Sequence, residues 1–140
     1  MKFSLKRAVG KTIEGEALVS PVPFSARYDL NRNEGIISRI GHPLQGQSIT
    51  GKIFISPGVQ GGVAAGWALL AMEQRGVGFA GLVFGDTNPV MVQGAVTAGI
   101  PIASGVDSEC WTRIKSGDRI SLDPSSLELT LLETVDGRDI

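Results

Sequence analysis

Residues 52–103 read KIFISPGVQGGVAAGWALLAMEQRGVGFAGLVFGDTNPVMVQGAVTAGIPIA, and this stretch decides the fold. It contains three short apolar runs, at 52–56, 80–84 and 100–103, which predict buried strands. Residues 62–75 and 88–98 predict helices between them, the second opening on Asn88-Pro89 and ending at Gly99. The order β-α-β-α-β predicts a parallel core with right-handed crossovers.

The spacing of apolar residues in the first helix predicts one apolar face. This face consists of Val63, Trp67, Leu70 and Ala71.

Short strands are predicted on either side of this core. The first twenty residues predict two of them, with Phe3, Leu5 and Arg7 on one face of the first. After Asp107, alternating patterns predict strands at 119–122 and 127–131. We therefore predict an α/β protein of three layers: a β-layer, a parallel βαβαβ sheet, and helices outside it.

Length and composition limit the classes of protein to which the chain can belong. Its 140 residues are 42% hydrophobic and 19% charged, which is typical of a globular domain, and we predict a single domain over residues 1–140. The net charge of −1 gives no general attraction to nucleic acid or to an anionic membrane, so neither partner is predicted. The N-terminal MKFSLKR lacks the apolar core of a signal peptide, and Cys110 is the sole cysteine. These features predict a cytoplasmic location and no metal site.

The loop at residues 57–66 is rich in glycine and precedes a helix. Such loops bind anions through free backbone N–H groups at the helix N-terminus. This one has no Ser, Thr, Cys, Lys, His or acidic residue, and it matches neither G-x-x-x-x-G-K-[ST] nor G-x-G-x-x-G. Two interpretations stay open: a tight connection that needs small residues, or an anion site of backbone N–H groups with space for a substrate.

Three further residues are candidates for binding, each with a structural alternative. Arg27 and His42 lie in a long, polar, turn-rich segment at 20–46, and long loops are often functional. Arg27 is either a solvated charge or a guanidinium that binds a carboxylate. His42, the sole histidine, is either a surface turn residue or a catalytic one. Asn88 follows the second buried strand, at the edge where α/β proteins bind ligands, and it is also a natural N-cap.

Four segments together resemble one family. They are GEALVSPVPF at 15–24, the pattern I-x-x-x-x-H-P-L-x-G-Q-S-I-x-G-K-I at 37–53, the glycine-rich loop, and GIPI at 99–102. They look like the small subunit of aconitase X, a swivel domain. The resemblance covers roughly residues 14–107, and its most specific block is HPLQGQS at 42–48. It implies the swivelling β/β/α fold, in agreement with the three layers predicted above.

The resemblance implies that the chain is the small subunit of a hydro-lyase. Aconitase-type enzymes remove water from a small hydroxy acid, and an iron–sulfur cluster in the large subunit acts as Lewis acid on the leaving hydroxyl group. Known members dehydrate mevalonate 5-phosphate or cis-3-hydroxyproline. The implied partner is a large aconitase X-type subunit that holds the cluster, and no cofactor is expected in this chain.

The glycine-rich loop departs from the family pattern. Members usually carry a Gly-Ser-Ser-Ser-Gly-Ser run that offers a serine as the proton-abstracting group. Alignment through Trp67-Ala68-Leu69 places those serines on Gly62, Val63, Ala64 and Gly66, none of which has a hydroxyl group. Because Gly62 cannot be a base, no catalytic residue is assigned. The large subunit then supplies the base, or the reaction differs, or catalysis has been lost.

The residues that the resemblance leaves for substrate binding lie in these loops. They are Arg27, Gly61, Gly62, Val63, Ala64 and Asn88, with His42 expected at the same edge. The alternative function is a non-catalytic binding or regulatory module that has kept the anion-receptive loop.

Overall fold

The computed structural model describes residues 1–60 and 63–140, and for residues 63–65 it describes the backbone alone. Its strands are Lys2–Ser4 (β1), Arg7–Val9 (β2), Ile13–Val19 (β3), Phe24–Ser25 (β4), Leu30–Asn31 (β5), Ile36–Ile37 (β6), Ile53–Ser56 (β7), Val59–Gln60 (β8), Gly81–Phe84 (β9), Ile102–Ser104 (β10), Arg119–Asp123 (β11) and Glu128–Glu133 (β12). Its helices are Ala26–Asp29 (α1), Val63–Gln74 (α2), Pro89–Ala98 (α3) and Cys110–Arg113 (α4).

The predicted parallel βαβαβ core is confirmed. Strands β3, β7, β9 and β10 pair in parallel in that order, with α2 and α3 as crossovers. Every residue of β7 and β9 is buried, which is why these strands appear in the sequence as continuous apolar runs. The second helix begins and ends as predicted: the Asn88 side chain caps it and Gly99, at φ 75°, ends it.

A single segment of the chain connects the two ends of the sheet. In the described residues, eight strands follow the order β1-β12-β11-β3-β7-β9-β10-β2, so β1 and β2, which belong to one segment, lie at opposite ends. The chain passes between them at Leu5 and Lys6, whose N–H groups donate to the carbonyl oxygens of Leu127 (3.0 Å) and Ser104 (3.1 Å).

The passage from β1 to β2 corrects one sequence expectation. Strict alternation within one strand would put Phe3, Leu5 and Arg7 on one face. The structure instead has two strands, β1 and β2, in this stretch, and therefore three strands rather than two in the first twenty residues. Phe3 and Leu5 are buried, whereas Arg7 is exposed and Ala8 packs against the core between the sheet layers. The segment changes sheet layers after Leu5, and the face that points inward changes with it.

Two apolar cores result, one on each side of the parallel strands. The core under the helices includes Leu18, Phe24, Phe54, Leu69, Met72, Leu82, Phe84 and Met91. The core between the two sheet layers includes Phe3, Leu5, Ile53, Ile55, Val83, Ile120, Leu122 and Leu129. This arrangement is the predicted three-layer β/β/α architecture.

The face of α2 that packs on the sheet differs from the predicted apolar face. Ala68, Leu69 and Met72 are buried, whereas Trp67 is 68% exposed and Ala71 is exposed. Because the helix is apolar on nearly every side up to Glu73, spacing alone does not identify the buried face. The helices approach each other closely at a glycine pair: a Cβ on Gly94 would lie 2.5 Å from Gly66 Cα.

Candidate active site

The loops of the candidate site leave one edge of the parallel strands, here called the carboxyl edge. It is formed by the ends of β3, β7, β9 and β10 and the residues that follow them. Backbone hydrogen bonds continue past the strands: Gly85 N–H donates to Ser56 O (3.0 Å), and Asp86 N–H donates to Pro57 O (3.1 Å). A Cβ on Gly85 would lie 2.7 Å from Pro57 O, so a side chain there would force these loops apart.

Two buried serines fix the start of the glycine-rich loop. Ser56 Oγ lies 3.0 Å from Val22 O and 3.1 Å from Gly58 O, and it can donate to either carbonyl. Ser20 Oγ donates to Val22 O (2.8 Å). Both serines are fully buried, so their hydroxyl groups hold the backbone together at this edge. This role was not predicted from the sequence, where its signal is a serine at the end of each of the two strands.

A short parallel pair, β4 with β8, brings the Arg27 segment beside the glycine-rich loop. Its register pairs Phe24 with Val59 and Ser25 with Gln60. Phe24 is buried against Phe54 and Phe79, with ring centroids 5.2 and 5.7 Å apart. This aromatic cluster anchors the segment, and α1 follows it directly.

Asp29, at the end of α1, is a fully buried carboxylate that organises the segment at 20–46. Its Oδ2 accepts the Ser25 N–H (2.8 Å) and its Oδ1 accepts from Arg39 Nη1 (3.3 Å). Its backbone carbonyl accepts the Ser38 N–H (2.8 Å). Ser25 and Arg39 are thus both hydrogen-bonded to the Asp29 side chain. These bonds supply the partners that a buried carboxylate requires.

His42 packs against this carboxylate inside the segment. Its Nδ1 accepts the Leu44 N–H (3.0 Å), so in the neutral ring the proton is on Nε2, which lies 3.9 Å from Asp29 Oδ2. The residue is buried, and the expectation of a surface turn histidine is therefore wrong. The reason is that the HPL turn folds inward onto Asp29. The ring stabilises the segment that carries Arg27.

Arg27 is exposed on α1, beside the carboxyl edge. Its guanidinium carbon lies 5.3 Å from the centroid of the Tyr28 ring, within range of a cation–π contact. It forms no salt bridge with any described residue. Its charge is therefore available to an external carboxylate.

Asn88 acts as the N-cap of α3, the structural alternative left open above. Its Oδ1 accepts the Met91 N–H (2.9 Å), and that oxygen is committed to the helix. Next to it, Thr87 Oγ1 is buried without a hydrogen-bond partner among the described residues. The predicted binding residues Gly61 and Gly62 lie outside the described residues. Val63 and Ala64 form the start of α2.

The described residues do not fit an iron–sulfur cluster. No group of three or more His, Cys, Asp or Glu side chains among them could hold a metal ion. Cys110 is buried, and burial together with the negative charge of Asp107 raises the pKa of its thiol to about 12. No helix in the described ranges is long and apolar enough to cross a membrane.

Comparison with known proteins decides the family. A family model of the aconitase X swivel domain matches residues 2–131. The chain belongs to the aconitase X swivel domain family. The phosphomevalonate dehydratase small subunit of Thermococcus gammatolerans is 29% identical over 95% of this chain and 99% of its own length. The protein of the same name from Methanocaldococcus jannaschii is 36% identical over 84% of this chain and 88% of its own.

A solved structure agrees with this assignment. One chain of the crystal structure of Thermococcus kodakaraensis aconitase X (holo-form) superposes with a TM-score of 0.87 at 28% identity, covering 95% of this chain and 99% of that one. The predicted resemblance and the swivel fold are confirmed. So is the interpretation of this chain as a subunit of a hydro-lyase, in preference to a non-catalytic module.

Proposed function

We propose that this chain is the swivel subunit of an aconitase X-type dehydratase whose large subunit carries an iron–sulfur cluster. The substrate is a small hydroxy acid, and mevalonate 5-phosphate is the first candidate because of the names of the curated relatives. The cluster would supply the Lewis acid for the leaving hydroxyl group. The proposal includes the single domain over residues 1–140 and the cytoplasmic location, both of which stay predictions.

The observation that carries the proposal for the site is the position of Arg27. The β4–β8 pair holds α1 beside the glycine-rich loop, and the exposed guanidinium forms no salt bridge with described residues. A guanidinium binds a carboxylate through two parallel hydrogen bonds, which an ammonium group cannot reproduce. In this proposal Arg27 binds the substrate carboxylate, with His42 and Asp29 holding its segment in place.

The glycine-rich loop contributes space and backbone donors. Residues 57–66 carry no group that could abstract a proton. We therefore assign Gly61, Gly62, Val63 and Ala64 to substrate contact through the backbone at the start of α2, and the base to the large subunit. Asn88 would contribute its side-chain NH2 group, since its oxygen caps α3.

An Arg27→Lys variant tests the site. In the complex with the large subunit, we expect KM to rise about tenfold or more with little change in kcat, because the charge is kept and the bidentate geometry is lost. Arg32→Lys is the matched control, since Arg32 is also exposed and is also without a salt bridge among described residues. If Arg27→Ala leaves turnover and assembly unchanged, the assignment of Arg27 is wrong.

A further inference from the structure

A second concave surface opens at the carboxyl edge, on the far side of β9 from α1. It is a cavity of about 780 Å³ between the strands β10 and β2 and the first half of α3. Its charged and polar lining comprises Lys6, Arg7, Asp86, Thr87, Asn88, Gln93 and Ser104. Its apolar lining includes Val9, Val92 and Ile102.

The cavity exists because the helical layer stops short of the last strand. Helix α3 packs against β10, and β2 lies one strand further out. Pairing of Arg7 with Ser104 and of Val9 with Ile102 puts these side chains on the helix side of the sheet. Val9 is 42% exposed there. An apolar strip formed by Val9 and the half-buried Val92 is thus left partly uncovered beside the buried Ile102.

Two cations lie at the end of this strip that is nearest the site. Lys6 and Arg7 form no salt bridge with any described residue, although the chain as a whole has a net charge of −1. The stem of Lys6 lies over Gly105, where a Cβ would be 2.6 Å from Lys6 Cβ and 2.8 Å from Lys6 Cδ. Gly105 also has φ +69°, so the turn both requires glycine and positions the lysine.

The polar groups of the cavity disfavour a small free anion as its occupant. The carboxylate of Asp86 lies in the same lining and would repel it. The first turn of α3 offers few backbone donors, because Pro89 has no N–H and the Met91 N–H is bound to Asn88, while the side-chain NH2 group of Asn88 is assigned above to the substrate. A larger partner can cover the apolar strip and bring a carboxylate to Lys6 and Arg7 alone.

We infer that this cavity receives a segment of the large subunit in which an apolar side chain, packed on Val9 and Val92, is followed by a carboxylate that pairs with Lys6 and Arg7. The inference rests on the proposed function, because the large subunit must close over the carboxyl edge, at which the cavity also opens. Complementary charge and a partly uncovered apolar strip are what such an interface requires.

Charge reversal tests the inference. In the full complex, Lys6→Glu/Arg7→Glu is expected to weaken assembly at least tenfold and to reduce its dependence on salt. Lys11→Glu/Arg75→Glu is the matched control. It makes the same change in net charge at exposed residues of the opposite edge, and it is expected to alter the dissociation constant less than twofold. Equal effects of the two double variants, or no effect of either, would overturn the inference.

Photo-crosslinking gives a second, independent readout. A benzophenone amino acid at position 9 is expected to crosslink to an acidic segment of the large subunit, whereas the same group at position 132, an exposed site on β12, is not. Crosslinking from both positions or from neither would contradict the inference. So would sub-millimolar binding of inorganic phosphate at Lys6 and Arg7, seen in amide spectra of the chain.

These outcomes separate the inference from the proposed function. If the complex is an active dehydratase but its assembly is not weakened by the substitutions at Lys6 and Arg7, only the inference is contradicted. If assembly is weakened by these substitutions but the wild-type complex has no dehydratase activity, only the proposed function is contradicted. If the wild-type chain does not bind the large subunit, both the inference and the proposed function are contradicted.

Discussion

Gly94→Val is expected to lower the free energy of unfolding of this chain by about 3 kcal/mol or more. The expectation follows from the contact between the two crossover helices, where a Cβ on Gly94 would lie 2.5 Å from Gly66 Cα. Backbone atoms cannot move aside like the end of a side chain, so α3 would have to separate from α2. Urea unfolding of the full chain, followed by far-UV circular dichroism, measures the effect.

The other glycine of the pair provides the control. A Cβ on Gly66 would lie 3.4 Å from Gly94 Cα, a tight contact that a small shift relieves. Alanine also favours the helix by roughly 1 kcal/mol over glycine, so Gly66→Ala is expected to change stability by less than about 1 kcal/mol. Equal losses in Gly94→Val and Gly66→Ala would contradict the close approach of the helices at this point.

Asp29→Ala is expected to lower kcat/KM of the assembled complex roughly 10²-fold, the effect of a misplaced binding group. The substitution leaves the buried Ser25 N–H and the His42 ring without their carboxylate and releases Arg39. The segment that carries Arg27 then loses its fixed position. Steady-state kinetics and limited proteolysis within residues 20–46 measure the two consequences.

Asp118→Ala separates this positioning role from a general loss of stability. Asp118 is also fully buried, and it accepts the N–H groups of Lys115 and Val135, but its contacts hold the C-terminal segment. We expect Asp118→Ala to lower stability by about 1–3 kcal/mol and to leave kcat/KM of the folded complex nearly unchanged. If Asp118→Ala reduces kcat/KM as much as Asp29→Ala does, the role of Asp29 is only structural.

The sequence was sufficient to predict the parallel core. Its strands are continuous apolar runs because both faces are covered, and its second helix has the boundary signals Asn88, Pro89 and Gly99 in the expected places. These signals are local, so they can be found without knowledge of the fold. The outer β-layer was predicted in outline, but the change of face after Leu5 was not, because it depends on β1 pairing with β12 and β2 pairing with β10.

The candidate site was predicted in its segments but not in its internal order. Arg27 and His42 were both identified as candidates, whereas Asp29, which joins their segments, was not among them. Its role depends on residues ten and more positions away, and no periodicity reports such contacts. The one available signal was an acid between hydrophobic residues in a segment with a histidine and several arginines. The missing family serines were found through the resemblance alone.

Reconstitution with the large subunit shows whether this chain is a required part of a dehydratase. The large subunit, loaded with its cluster, is mixed with this chain, and dehydration of mevalonate 5-phosphate is followed by mass spectrometry. We expect turnover by the mixture and none by either subunit alone. A stable, cluster-loaded complex that dehydrates neither this nor other small hydroxy acids, or a large subunit that is fully active alone, would contradict this expectation.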